Sequence, residues 1–288
     1  MAKVALLFSG LPRLWTHCVK SQLALFRETP FDVFFHFWDT VDQTEKDAIV
    51  ATYKPKSYVF QPQVDFTEQA KQLKILDRIN SPARLLSQYF GWKAVAQIFQ
   101  DYSRTSGETY THAVRLRADL LFTCALDKVL PQIGPNDLLF TTQHDFGMVN
   151  DTFVLGGVPA LMYFMSMFDR VVGYNQTVQA NAELLMMEHL RRRPAHIQII
   201  RTPLPVLVFR AHMMGVPIEK CMQEHPGVNK WADPEVLRDH IDSNVAAGNP
   251  ARAAEVEQFI NNQLANLKAM HAHVYGPDGP PKASRPPE

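Results

Sequence analysis

The stretch Val4-Ala5-Leu6-Leu7-Phe8-Ser9-Gly10-Leu11-Pro12-Arg13 decides the fold class. Its apolar run leads straight into a Ser-Gly-x-Pro turn, and Trp15, Val19, Leu23 and Phe26 follow at helical spacing. The order is strand, loop, helix. An apolar run without alternation suits a strand buried on both faces, as in parallel sheets covered by helices. Phe31–Trp38 is a second strand-like run that stops at Asp39; 42–52 reads as a crossover helix and 57–60 as a third strand. This alternation predicts an α/β protein with a mostly parallel sheet flanked by helices, Rossmann-like in plan.

Downstream, residues 82–102 place Leu85, Tyr89, Trp92, Val95 and Phe99 on one helical stripe, with Ser81 as cap and Pro82 in the first turn. Further strands are expected at 110–116, 137–141, 148–155, 197–200 and 206–209, and helices at 159–174 and 180–192. Beyond residue 230 the chain turns to polar helices, the clearest at 251–270 with an apolar stripe through Val256, Phe259, Ile260, Leu264 and Leu267. The expected organisation is a main domain over 1–230, a C-terminal helical extension over 231–275 and a disordered, proline-rich tail over 276–288.

Composition narrows the function. The 288 residues carry 29 basic and 29 acidic side chains, which removes the charge excess that nucleic-acid binders use; nucleic acid is not an expected partner. Cys18, Cys124 and Cys221 form no Cys-x-x-Cys pair and are odd in number, which favours a reducing compartment. The run at 4–8 is too short for the core of a secretory signal, and the longest apolar stretch, 154–168, is interrupted by Gly156, Gly157, Pro159 and Ser166, so no transmembrane segment is expected. A cytoplasmic location follows as the expectation.

The chemistry concentrates at Arg115-Leu116-Arg117-Ala118-Asp119. In extended backbone, Arg115, Arg117 and Asp119 share one face while Val114, Leu116 and Ala118 share the other. Arginines facing a core need an anion or a carboxylate partner, and a diphosphate matches guanidinium geometry bidentately. Asp119, at the carboxyl end of a strand, stands where open α/β sheets bind ligands and could hold a divalent cation. A solvated edge strand or an internal salt bridge is the structural alternative. The Ser9-Gly10-Leu11-Pro12-Arg13 loop precedes a helix and could meet an anion, although it lacks a recognised phosphate-loop pattern. Asp39, Asp151 and Glu183 are acidic residues at element ends, where caps are common; as a set they could supply an acceptor contact and a general base.

Read together, Phe8-Ser9-Gly10-Leu11-Pro12-Arg13, Phe31–Trp38 with Asp39, Tyr53-Lys54-Pro55-Lys56, Ser87-Gln88-Tyr89 with Lys93, Arg115 to Asp119, Asp151-Thr152-Phe153 with Gly156, and Glu183 with His189-Leu190 resemble a family of bacterial and viral GT-A-type glycosyltransferases of capsule and polysaccharide synthesis. The resemblance covers about residues 4–210. It implies a GT-A fold, a nucleoside-diphosphate sugar as donor and a glycan or lipid-linked acceptor. Ser9, Gly10, Arg13, Lys93, Arg115 and Arg117 would contact the donor, and Asp119 a metal or the sugar. Asp151 and Glu183 would serve acceptor binding and base catalysis, with Glu183 the first choice of base. Such folds often hold manganese or magnesium on an Asp-x-Asp motif; here Arg117 occupies the first acidic position, with Asp119 the remaining ligand and His212 a further candidate. Two other readings stand beside this one: a catalytically inert nucleotide- or glycan-binding protein of the same fold, and a Rossmann-like phosphate- or sulfate-transfer enzyme.

Overall fold

The computed structural model describes residues 2–73, 81–122, 125–141, 151–174, 182–202 and 206–208. The expected helix at 251–270, the extension and tail, the boundary at 230, His212, Cys124 and Cys221 lie outside them.

Seven strands form the main sheet in the order β3-β2-β1-β4-β7-β6-β8. They are β1 (Val4–Gly10), β2 (Phe31–Trp38), β3 (Ser57–Gln61), β4 (His112–Leu116), β6 (Asp137–Thr141), β7 (Val154–Gly157) and β8 (Gln198–Thr202). Within this sheet, β7 is antiparallel to both neighbours while the other pairings are parallel. This is the mostly parallel, helix-flanked sheet that the sequence predicts. A small antiparallel pair joins β5 (Leu120–Phe122) to β9 (Val206–Val208).

The unalternated run of β1 is explained by two cores. Ala5 and Leu7 pack with Leu85, Tyr89, Trp92 and Phe99 of α4 (Pro82–Ser106), whereas Val4, Leu6 and Phe8 pack with Trp15 and Val19 of α1 (Trp15–Leu23) and Ile49 and Tyr53 of α2 (Gln43–Tyr53). The strand is therefore apolar on both faces. The α4 stripe is buried as its spacing predicts; Ser81 accepts from the Arg84 N–H at the N-terminus, and Gly107, at φ 73°, ends the helix.

The single helix expected at 159–174 is divided. After α3 (Thr67–Ala70) and α4 come α5 (Val158–Met165), a 3₁₀ turn over Ser166–Asp169 and one helical turn, α6 (Val171–Tyr174). Ser166 Oγ donates to the Tyr163 carbonyl at 2.7 Å, where the helix gives way. Serine competes with the backbone for such carbonyls. Of the strand expected at 148–155, residues 148–150 lie outside the described residues; Asp151 stands in a bend, and the strand begins at Val154. α7 (Ala182–Arg191) closes the described helices. Among the described residues, no helix is long and apolar enough to cross a membrane.

Candidate active site

The sheet order places β4 on one side of β1 and β2 on the other, so successive crossovers diverge between β1 and β4. In open α/β sheets this divergence opens a crevice beyond the carboxyl ends of the strands. A cleft of about 740 Å³ lies here, within the range of small-molecule sites. Its floor comes from Ser9 and Gly10 at the end of β1, Trp38 at the end of β2, and Arg115 near the end of β4. One wall is α4, through Arg84, Ser87, Gln88 and Trp92; Ala182, opening α7, and Asp151 close the far side.

Two glycines shape the floor. Gly10 ends β1 at φ 110°, a conformation that side-chain-bearing residues rarely adopt. Gly91 lets α4 approach: a Cβ built there would lie 3.5 Å from the Ser9 Cβ.

The predicted alternation holds past the strand. Val114, Leu116 and Ala118 enter the core shared with α1 and α2, while Arg115, Arg117 and Asp119 line the cleft. Ordered strand stops at Leu116, and the turn beyond it is held from behind by Gln22 of α1. The Gln22 amide nitrogen reaches the carbonyls of Arg117, Ala118 and Leu120 at 3.2, 3.0 and 2.8 Å, and Tyr53 Oη donates to Gln22 Oε1 at 2.6 Å.

Asp119 is shared by two guanidiniums. Arg117 donates Nε to Oδ1 at 2.8 Å and Nη2 to Oδ2 at 2.7 Å; Arg13 approaches Oδ2 through Nε at 3.1 Å and Nη2 at 3.0 Å. Arg13 is 48% exposed, Arg117 20% and Asp119 3%, so the cluster grades from solvent into the protein. Burial alone would raise the Asp119 carboxyl; Arg117 and then Arg13 override it and hold the group below the usual carboxylate range. Burial opposes the Arg117 charge too, and Asp119 outweighs it.

Arg115 is deeper still and fully buried. It donates Nη1 to the Asp151 backbone carbonyl and lies over the Trp92 ring. Burial pulls its guanidinium down to about 9, against the attraction of Asp151. Its Nε and the Trp92 Nε1 find no hydrogen-bond partner among the described residues. Gln88 Nε2 donates to Asp151 Oδ2 and so fixes that carboxylate on the far side of the cleft.

Ser9, Gly10, Arg13, Arg115, Arg117, Asp119 and Asp151 thus come together as cleft-lining residues. Lys93 does not join them: it pairs with Asp169 outside the cleft lining, because it sits roughly 140° around α4 from Gln88. Asp39 is taken by Lys46 at 2.6 Å. Glu183 follows the cleft-lining Ala182 in α7. Arg84, Gln88 and Trp92 were missed as site residues, although their spacing of four, with polar side chains beside an apolar stripe, marks one line along α4.

A divalent cation does not fit the described donor set. Both Asp119 oxygens already accept from guanidiniums, the position before it in the motif is arginine, and no group of three His, Cys, Asp or Glu among the described residues could hold a metal.

The fold and cleft define an α/β protein with an arginine-lined crevice at its topological switch point. No protein-family model matches the chain, and no curated protein matches it. Among solved structures, the apo form of mouse xyloside xylosyltransferase 1 is similar over 69% of this chain and 85% of its own, at 10% identity and a TM-score of 0.41. The galactosyltransferase LgtC, in complex with donor and acceptor sugar analogs, is similar over 69% of this chain and 72% of its own, at 12% identity and a TM-score of 0.43.

Proposed function

We propose that the protein is a glycosyltransferase that moves a sugar from a nucleoside-diphosphate sugar to a hydroxyl of a glycan or lipid-linked acceptor, in polysaccharide synthesis. The observation that carries this reading is the convergence of Arg13, Arg115 and Arg117 on a crevice that also holds Asp151 across from them. With Arg84 at the rim, the described residues give the cleft four guanidiniums against the carboxylates Asp119 and Asp151, an excess matched to a diphosphate.

In the transfer, the acceptor oxygen bonds to the anomeric carbon, and the bond from that carbon to the β-phosphate oxygen breaks with its electron pair going to the phosphate. The acceptor hydroxyl proton passes to a carboxylate. Glu183 is the first choice for that base and Asp151 for orienting the acceptor. Arg13, Arg115 and Arg117 bind the diphosphate and meet the charge that grows on it as the bond breaks, an interaction that strengthens in the transition state. Ser9 and Gly10 give the donor a close backbone surface.

A thermal-shift panel of uridine, guanosine, cytidine and thymidine diphosphate sugars tests the donor class, since a ligand of the native state raises the melting temperature. Stabilisation by one of them, followed by release of the nucleoside diphosphate on adding acceptor glycans, is the expected result. No response to any sugar nucleotide overturns the reading. In a Glu183→Gln variant, undiminished turnover removes Glu183 from the role of base.

A catalytically inert binding protein of the same fold is the second reading. It is favoured by one observation: among the described residues, both carboxylates that line the cleft already have a side-chain donor, Asp119 from two arginines and Asp151 from Gln88. Binding of a sugar nucleotide without hydrolysis or transfer is its signature.

A further inference from the structure

We infer that the cleft binds diphosphate groups without a divalent cation, the paired guanidiniums of Arg13 and Arg117, with Arg115 beneath them, standing where a metal ion would otherwise neutralise charge. The inference deepens the donor reading above and rests on it for the identity of the ligand, but its own content is the charge chemistry of this one site.

Three observations carry it. First, Asp119 is committed: its Oδ1 accepts from Arg117 Nε at 2.8 Å and its Oδ2 from Arg117 Nη2 at 2.7 Å, with Arg13 on the same oxygen at 3.0 Å. A cation on Asp119 would have to displace two guanidiniums and then sit beside them, unfavourably on both counts. Second, Asp119 is too deeply placed to present its charge outward, being 3% exposed, whereas Arg117 and Arg13 are progressively more open to the cleft. The carboxylate therefore orients the forks, and the forks remain to meet a ligand. An arginine offers five N–H donors, so pairing with one carboxylate leaves donors over. Third, Arg115 is a completely buried cation whose Nε has no partner among the described residues, and it lines the same cleft. A buried, incompletely paired guanidinium is costly in the absence of an anion, and a ligand phosphate offsets that cost.

The charge count agrees with the geometry. With two positive charges in excess across Arg13, Arg84, Arg115, Arg117, Asp119 and Asp151, the described lining of the cleft already balances the two charges of an intact diphosphate bridge. A divalent ion would overshoot it.

The test is isothermal titration calorimetry of the full chain with inorganic pyrophosphate and with uridine and guanosine diphosphates, in excess EDTA and again in manganese or magnesium. The expected result is binding in EDTA, with the metal tightening it by less than about tenfold. Tightening of about tenfold or more by either metal, or binding only in its presence, overturns the inference while leaving the donor reading in place. Pyrophosphate binding in EDTA with no response to any sugar nucleotide supports the clamp and overturns the donor reading. Absence of binding in every condition overturns both. Arg117→Met, shown to be folded by its thermal transition, should weaken pyrophosphate binding in EDTA by about tenfold or more. Unchanged affinity in that variant overturns the part assigned to Arg117.

Discussion

The guanidinium carbon of Arg115 lies 4.6 Å from the centroid of the Trp92 ring, so a buried charge from β4 is roofed by an aromatic side chain from α4. Trp92 also stacks on Phe164 of α5 at 5.1 Å, which ties the roof to the core. The pairing gives the cation a polarisable face that water would otherwise supply.

Arg115→Met should therefore separate stability from binding. The desolvation of Arg115 is a cost that methionine, of similar length and packed on the same ring, does not carry. The variant should melt at or above the parent temperature, while nucleoside-diphosphate affinity falls by about 1.5–3 kcal/mol, or roughly 10-fold to 150-fold. Scanning calorimetry and titration calorimetry check the two halves. A large loss of stability with unchanged affinity would make Arg115 structural.

At the floor, two glycines should respond in opposite ways. At Gly91 a Cβ meets Ser9 at ordinary contact distance, so Gly91→Ala should be neutral or stabilise by up to about 1 kcal/mol through helix propensity. Gly91→Leu should push α4 off β1 and cost about 1–3 kcal/mol, with loss of ligand binding. At Gly10 there is space but φ is 110°, and Gly10→Ala should cost on the order of 1–2 kcal/mol from backbone strain alone. Chemical denaturation ranks the three.

His189 should make the fold acid-sensitive above the carboxylate range. It is buried and stacked on Tyr163 at 4.5 Å, with Nε2 donating to the Tyr163 carbonyl at 3.0 Å and Nδ1 lying 2.8 Å from Tyr174 Oη. Burial lowers it from 6.5 to about 4. The unfolded chain takes up a proton that the folded chain refuses, so stability falls as pH drops through this window, by roughly 3 kcal/mol at most. Burial lowers His36 as well, with the same sign. The difference between parent and His189→Gln urea midpoints, followed from neutral pH downward, isolates His189: the variant should lose less. Parallel curves would remove it.

Gln88→Leu should leave donor affinity unchanged and raise KM for the acceptor. Gln88 holds the Asp151 carboxylate, and in the proposed function Arg13 and Arg117, which pair with Asp119 and not with Gln88, would meet the diphosphate. Equal loss of donor and acceptor affinity would show that Asp151 serves both.

Much of this was readable before any coordinates. The buried strands declare themselves by unbroken apolar runs, since a central parallel strand has no wet face. Arg115, Arg117 and Asp119 could be put on one face because strand periodicity is two, and the alternation survives the turn. Lys93 could not be placed, since a helix's rotation about its own axis is set by what packs beneath it: the Tyr89 and Trp92 burial turns Lys93 away and brings Gln88 in. The sequence left an internal salt bridge open for Asp119, and Arg117 makes it; the second partner, Arg13, is 106 positions distant in the chain and could not be read from spacing.

Gln22 has a consequence for how this site can change. The turn from Arg117 to Leu120 is gripped through its carbonyls by a side chain of α1, itself braced by Tyr53, and not through the side chains at 117 and 119. The backbone there is thus a socket held apart from the side chains at 117 and 119. Exchange at residue 117 alters the electrical character of the crevice without rebuilding its walls, which makes this turn a natural place for a lineage, or an engineer, to trade one kind of anion recognition for another.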